Sequence, residues 1–273
     1  MRLVRPTLFV ILRKEKLIML SIFFILTLCI YTLRGLSTKV PEKPLSNRII
    51  AVDPGHGGMD SGSSHSGYYE KDLTLDLALV LAKQLEAAGA TVILTRTTDT
   101  DLIDLVTIEE EIRITKEEYQ KKLEEGTRIN ALDKGIALGT RTPPLYRLGL
   151  RARLLIAYQH NADILVSIHT NHFRSSSSKG AVTLYYQSSE KSKLLAERIQ
   201  DHLGPLRPGR SHPDEVADDF FILRVSQIPA VIVEVGFISN KDDREFMLSD
   251  QGSKEIAEAI IQGIINYFSE SDQ

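Results

Sequence analysis

Apolar and polar positions along the chain predict strands that alternate with helices. Continuous apolar runs typical of buried strands lie at residues 49–52, 90–95, 162–168, 181–187 and 229–235. After the first run, leucines recur at every fourth position from Leu73 to Leu85, which predicts a helix that ends at Gly89. The alternation predicts an α/β fold: a single domain with a mostly parallel central sheet flanked by helices on both faces.

Helix-forming sequence also fills the stretches between the later strands. Helices are predicted at residues 107–125, 145–159, 190–203, 242–248 and 254–268. The first of these is dominated by Glu and Lys and stops at Gly126, which favours a mostly solvated helix over a functional one. It belongs to a charged insertion at about residues 101–144.

The N-terminus predicts a membrane segment. A basic stretch in residues 1–16 precedes an uncharged apolar run within residues 17–34, long enough to reach the lower limit for a membrane span. We expect residues 1–16 to be a cytoplasmic tail, residues 17–34 a single-pass signal anchor and residues 35–47 a Pro-containing linker. The domain at residues 48–270 then lies outside the cytoplasm. The alternative is a signal peptide that is cleaved, followed by secretion.

Composition narrows the function further. The chain has 273 residues and a net charge of -3, which offers no argument for nucleic-acid binding. Cys29 is the single cysteine, so an intrachain disulfide and Cys-rich structural zinc sites are excluded. Any zinc site must therefore be built from histidines and carboxylates.

Three predicted strands end in, or carry, residues with catalytic chemistry. His56 follows Asp53-Pro54-Gly55 at the end of the first strand, and His169 follows the strand at 162–168. The carboxyl ends of parallel strands meet at one edge of a sheet, so these two histidines can converge there. Two imidazoles and a carboxylate can hold a zinc ion that keeps a fourth position open for water.

The carboxylate ligand is not determined by spacing alone. Glu70 lies at the predicted start of the helix after the first strand, where any acid is favourable. Asp53, Asp60 and His65 compete with it for the same role. No HExxH pair or other short zinc motif decides between them.

Glu234 lies inside the otherwise apolar strand VIVEV. Burying an unpaired charge there would cost several kcal/mol. The carboxylate is therefore paired, protonated or close to a metal ion. This favours Glu234 as the group that takes a proton from water and delivers it to a leaving nitrogen, over a structural ion pair with an arginine.

Four motifs in this order resemble the zinc-dependent N-acetylmuramoyl-L-alanine amidases of bacterial cell walls: DPGHGG, EKDLTL, SIHTN and VEVGFISN. The resemblance covers nearly all of residues 48–268. It implies that His56, Glu70 and His169 are zinc ligands and that Glu234 is the catalytic glutamate. The implied reaction is hydrolysis of the amide between N-acetylmuramic acid and L-alanine of peptidoglycan.

Within that family the chain is most similar to the germination-specific amidases, which help to form muramic δ-lactam in the spore cortex. The features are the N-terminal membrane segment, the TRTTDTDL stretch and the compact catalytic domain. Arg153 matches a recurrent family arginine, and Asn171 follows the histidine ligand; both are candidates for substrate contact or for orienting the ligands. The charged segment at 107–140 is longer than expected, which leaves a partner-binding or regulatory role open.

Three alternatives stay open at this point. The enzyme could be a general wall amidase of growth or division, or a zinc peptidase or deacetylase acting on the same wall. It could also be a non-catalytic membrane protein that binds peptidoglycan. An activating protein partner is compatible with each of the enzymatic functions.

Overall fold

A computed structural model describes residue 19 and residues 21–27, 43–209, 212–216 and 220–272. The chain divides into two units, residues 1–42 and residues 43–273. In the first unit, residues 21–27 are helical. No described helix is both long and apolar enough to cross a membrane. Most of the predicted anchor at 17–34 lies outside the described residues, so the anchor stays a prediction.

A six-stranded sheet forms the centre of the second unit. Its strands are β1 (Ile49–Pro54), β4 (Thr91–Leu94), β5 (Ile164–Asn171), β6 (Val182–Tyr186), β7 (Asp214–Val216) and β8 (Ala230–Phe237), in the order β4-β1-β5-β8-β6-β7. The first four strands of that order run parallel, and β6 pairs antiparallel with β8. The predicted mostly parallel sheet is confirmed.

The described part of the second unit also contains eight α-helices. They are α1 (Glu70–Ala87), α2 (Ile108–Glu125), α3 (Ala131–Ala137), α4 (Leu145–Gln159), α5 (Glu190–Leu206), α6 (Phe221–Arg224), α7 (Lys241–Leu248) and α8 (Asp250–Ser271). Residues of α1, α5 and α8 form one buried cluster with the strands, and residues of α4 and α6 form a second with the same strands. Helices therefore cover both faces, as predicted.

Several short elements were not predicted. Strands β2 (Ser64–His65) and β3 (Tyr68–Tyr69) form a small hairpin before α1. Helix α3 and strand β7 also carry too few residues for a periodic pattern. Leu45 is fully buried in the core, so the last residues of the predicted linker pack with the second unit.

The charged helix α2 is attached to the domain through buried ion pairs. Most of its surface is exposed, as predicted, but Glu111 is fully buried. Its carboxylate accepts hydrogen bonds from Arg147 Nε at 2.5 Å and from Arg151 Nε at 2.7 Å. Arg147 also pairs with Asp133 of α3, at 2.6 Å. Arg147 and Arg151 of α4 thus bind the insertion through buried ion pairs.

Candidate active site

The loop after β1 is held in an unusual backbone conformation. His56 has a φ of 62°, in the left-handed region that costs a residue with a side chain about 1 kcal/mol or more. Asp53, just before it, accepts hydrogen bonds from Thr95 Oγ1 at 2.5 Å and Ser167 Oγ at 2.6 Å. Asp53 also pairs with the Arg153 guanidinium. Burial alone would raise the pKa of Asp53, but Arg153 and these hydrogen bonds lower it below its usual range.

Two guanidinium groups fix three successive carbonyls of this loop. Arg96 donates to the oxygen of Pro54 at 3.0 Å and to that of Gly55 at 2.9 Å. Arg153 donates to the oxygen of Pro54 at 2.8 Å and to that of His56 at 2.5 Å. These hydrogen bonds therefore hold the loop in its strained conformation. In this conformation the His56 ring lies at the carboxyl edge of the sheet.

His56, Glu70 and His169 converge at that edge. Glu70 Oε1 lies 3.2 Å from His56 Nε2 and 3.1 Å from His169 Nδ1. One ligand atom from each residue lies within 4.8 Å of the other two. Two ligands of a tetrahedral zinc ion, each at about 2.0–2.1 Å, are about 3.3 Å apart, so the observed separations fit this metal.

Glu70 is the carboxylate that the spacing left undecided. It begins α1 and is 3 % exposed. Its two oxygens accept backbone hydrogen bonds from Ser63 at 2.9 Å and from Thr170 at 3.0 Å. Burial would raise the pKa of Glu70, but hydrogen bonds from His169 and His56 outweigh it and hold the pKa far below the usual range. The group is therefore an anion, as a metal ligand must be.

Glycines allow the rings to approach this closely. A Cβ at Gly55 would lie 2.3 Å from His169 Cε1, and a Cβ at Gly62 would lie 2.6 Å from His56 Cδ2. Neither distance is compatible with a side chain. Gly55 of the DPGHGG motif and Gly62 of the following loop are thus required by the packing of the histidines.

Glu234 lies beside this triad without a partner of its own. Its Cα is in register with that of His169 on the neighbouring strand. The buried Oε2 atom has no hydrogen-bond partner among the described residues. Burial raises the pKa of Glu234 to about 7, with the charge of His169 acting in the opposite direction. A carboxyl with this pKa can both accept and donate a proton near neutral pH.

A cavity of about 540 Å³ opens at the triad. Its polar wall includes His56, His169 and Glu234. Its apolar wall comes from the start of the insertion, from α4 and from the α6 region, including Leu102, Ile103, Leu150, Phe220 and Ile222. His56, His169 and Glu234 therefore face a space large enough for part of a substrate.

The other predicted site residues take different places. Asp53 and Arg153 are paired with each other, so they support the loop, and both also line the first cavity. Asp60 accepts a hydrogen bond from His56 Nδ1 and lies outside the three-residue group. His65 lies in the β2–β3 hairpin, and Asn171 lines a second cavity.

Two supporting residues escaped the sequence analysis. Arg96 directly follows a predicted strand, and Thr74 lies on the inner face of α1, where its Oγ1 donates to the oxygen of Gly55 at 2.8 Å. Its position directly after a predicted strand was the available signal for Arg96. A threonine in an amphipathic helix carries no comparable signal.

Comparison with known proteins agrees with this geometry. The profile of the family described as N-acetylmuramoyl-L-alanine amidase matches residues 50–266. The chain belongs to this amidase family. It is thus a hydrolase of the amide between N-acetylmuramic acid and L-alanine in peptidoglycan.

Individual relatives give the degree of similarity. The germination-specific N-acetylmuramoyl-L-alanine amidase of Bacillus subtilis is 29% identical over 227 residues, which cover 83% of this chain and 82% of the relative. The CwlD amidase of Clostridioides difficile, solved in complex with the GerS lipoprotein, superimposes with a TM-score of 0.62 at 30% identity. That match covers 82% of this chain and 100% of the other.

A second solved structure extends the comparison. The catalytic domain of the amidase CwlV from Bacillus (Paenibacillus) polymyxa var. colistinus has a TM-score of 0.58 and 25% identity. The superposition covers 81% of this chain and 98% of that domain. Similarity to several amidases over nearly the whole catalytic unit supports one shared architecture.

Proposed function

We propose that this amidase holds one zinc ion with His56, Glu70 and His169 and uses Glu234 as its proton carrier. The single observation that carries the proposal is the placement of Glu234, with an unpaired buried oxygen, in register with one member of a nitrogen–oxygen–nitrogen ligand set. Zinc bound there would supply a Lewis acid that polarises the scissile carbonyl and acidifies water.

Residues of the chain would orient the ligands, transfer the proton and exclude water. Glu70 neutralises part of the metal charge, and its backbone hydrogen bonds fix its orientation. The Glu234 carboxylate accepts a proton from the attacking water and then delivers it to the nitrogen of L-alanine as the amide bond breaks. The apolar wall of the 540 Å³ cavity excludes bulk water on one side of the reacting bond.

The test is digestion of purified peptidoglycan by the full-length protein with zinc, followed by mass spectrometry of the products. Release of intact stem peptides beginning with L-alanine identifies the amidase reaction; cleavage inside the peptide or loss of acetate would identify a peptidase or a deacetylase. Glu234→Gln should lower turnover by about 10²–10⁴-fold while zinc stays bound. Undiminished turnover in this variant would exclude Glu234 as the proton carrier.

We propose spore-cortex maturation, through muramic δ-lactam formation, as the biological role. Support comes from the similarity to the germination-specific amidase of Bacillus subtilis over most of both chains. Expression of this chain in a Bacillus subtilis strain that lacks its own germination-specific amidase should restore δ-lactam to the cortex. Lysis or altered separation of growing cells without δ-lactam would instead indicate a general wall amidase.

We further propose that the catalytic unit works outside the cytoplasmic membrane on an N-terminal signal anchor. The basic residues of 1–16 and the apolar residues of 17–34 support this topology. Protease added to intact protoplasts should remove the catalytic unit and leave a short membrane-bound fragment. Recovery of the whole protein in the medium would indicate a cleaved signal peptide.

An activating protein partner is part of the same proposal, because a similar amidase was solved in complex with the GerS lipoprotein. Turnover by the purified full-length protein should then rise when a membrane extract of the native host is added. Equal turnover with and without the extract, at saturating zinc, would show that the enzyme acts alone.

A further inference from the structure

A second cavity, of about 460 Å³, lies along β6 and along the loop that joins β5 to β6. Asn171, Lys179, Val182 and Phe237 are among its lining residues. Neither the ligand triad nor Glu234 lines it. The proposed reaction leaves this space without a role.

The second cavity begins directly beside Glu234. Val182 is the register partner of Glu234 on the antiparallel strand, and such partners lie about 5 Å apart between their Cα atoms. Val182 and Ile232 belong to the same buried cluster. Since side chains alternate along a strand, Val182, Ile232 and Glu234 point to the same face of the sheet. The two cavities therefore flank the proton carrier on one face.

The charged groups of the two cavities differ. Asp60, Asp101 and Glu234 line the first, and the guanidinium of Arg153 there is already paired with Asp53. Lys179 lines the second and has no salt-bridge partner within 4.0 Å among the described residues. Asp214, which lines the second cavity too, already has a polar partner. Lys179 therefore gives the second cavity a positive charge that can attract a carboxylate.

The loop that carries Lys179 is anchored to the residues that follow Glu234. Ser239 Oγ accepts from the backbone of Phe173 at 3.1 Å, and Asn240 Nδ2 donates to the oxygen of Ser176 at 2.7 Å. Asp243 Oδ2 accepts from the backbone of Gly180 at 2.8 Å. Lys179 therefore starts from a backbone that is fixed relative to Glu234.

We propose that the second cavity binds the peptide half of the substrate and that Lys179 binds one of its carboxylates. This inference rests on the proposed amide hydrolysis, in which the two halves of the substrate leave the reacting bond in opposite directions. The peptide half carries free carboxylates beyond L-alanine, whereas the neutral sugar half suits the apolar wall of the first cavity. Lys179 thus selects substrates by the charge of the peptide.

The test compares soluble muramoyl-peptides whose peptide carboxylates are free or amidated, using the zinc-loaded full-length protein. Wild type should prefer the free acids in kcat/KM, and Lys179→Ala should lose about five- to tenfold on them, through KM, with little change on the amidated peptides. Lys179→Glu should reverse the preference, and Lys179→Arg should retain it. The wild-type preference should weaken as salt concentration rises.

Lys83→Ala is the matched control, because Lys83 is exposed on α1 and lines neither cavity. Calorimetric binding of the free stem peptides to the same variants gives a readout that needs no turnover. If cleavage persists but Lys179→Ala and Lys179→Glu keep the wild-type preference and affinity, the inference is wrong and the amidase proposal stands. If wild type releases no peptide, the proposed function fails instead.

Discussion

Asp60 Oδ2 lies 2.8 Å from His56 Nδ1, on the side of the ring that faces away from Glu70. Asp60 is itself fixed, because its backbone bridges to Gly57 in both directions and its Oδ1 accepts from Gly62 at 3.0 Å. A proton on Nδ1 leaves the lone pair of Nε2 for the metal side. Asp60 therefore sets which nitrogen of His56 is available as a ligand.

Asp60→Ala should weaken zinc binding by about 10–100-fold, because the His56 ring loses its preferred tautomer and orientation. Competition with a chromophoric chelator measures the affinity. Asp104→Ala is the control and should bind zinc normally, because Asp104 is an exposed acid in the short 3-10 helix Ile103–Leu105. Normal affinity in both variants would show that Asp60 has no orienting role.

Gly55→Ala should abolish zinc loading, since the added methyl group would lie 2.3 Å from His169 Cε1 and must displace that ring. Metal analysis of the purified protein measures the loading, and circular dichroism checks that the fold survives. Gly149→Ala on α4 is the control, because its Cβ would meet its nearest neighbour at an ordinary 3.6 Å. Full zinc loading of the Gly55 variant would contradict the described ring packing.

Glu234→Gln should stabilise the metal-free protein at pH 8. Burial raises the pKa of Glu234 to about 7, so the folded state holds a proton that the unfolded chain releases above pH about 4.3. The free energy of unfolding therefore falls as the pH rises from the pKa of Glu234 in the unfolded chain to its pKa in the folded state. Above the folded-state pKa the loss is complete. A glutamine at this position cannot ionise, so this loss does not occur. The free energy of unfolding should rise on the order of 1–3 kcal/mol at pH 8 and by less at pH 5.

Urea unfolding of the metal-free proteins at the two pH values measures this gain. Glu86→Gln, at an exposed position of α1, is the control and should change stability little at either pH. A gain for Glu234→Gln that is equal at pH 5 and pH 8 would contradict the raised pKa.

Glu111→Ala should destabilise the insertion by about 3–5 kcal/mol, because it leaves the buried guanidinium groups of Arg147 and Arg151 without their shared counter-charge. Hydrogen exchange across residues 107–140 measures the local effect, and thermal unfolding measures the global one. Glu109→Ala, exposed on the same helix, should leave both unchanged. Similar exchange in the two variants would show that the ion pairs do not hold the insertion.

The sheet and its larger helices were predictable because their signals are periodic and long. The runs that became β1, β5 and β8 are continuously apolar, and the leucine stripe of α1 has a helical period. The same reasoning brought His56, His169 and Glu234 to one edge, since parallel strands end together. The strand ends converge because the sheet is parallel, and the parallel arrangement could be predicted from the alternation of strands and helices.

What could not be predicted depends on single long-range pairs. The sequence of α4 does not show why Arg147 and Arg151 lie among apolar residues. Their partner is Glu111, which is distant in sequence and accepts hydrogen bonds from both. The choice of Glu70 over the competing ligand candidates rested on resemblance alone, because its position at a helix start is explained equally well by the helix dipole. The second cavity arises from loop anchoring by Ser239 and Asn240, and no periodic pattern encodes such contacts.

The buried ion pairs between α2 and α4 also limit how this protein can be shortened. The insertion cannot be deleted on its own, because Glu111 and Asp133 would be lost with it. The buried arginines of α4 would then lack these two counter-charges. The guanidinium of Arg147 lies 4.3 Å from the ring centroid of Phe221, which lines the first cavity. A compact variant would therefore need apolar replacements in α4 at the same time, and lineages with and without the insertion should differ at both places together.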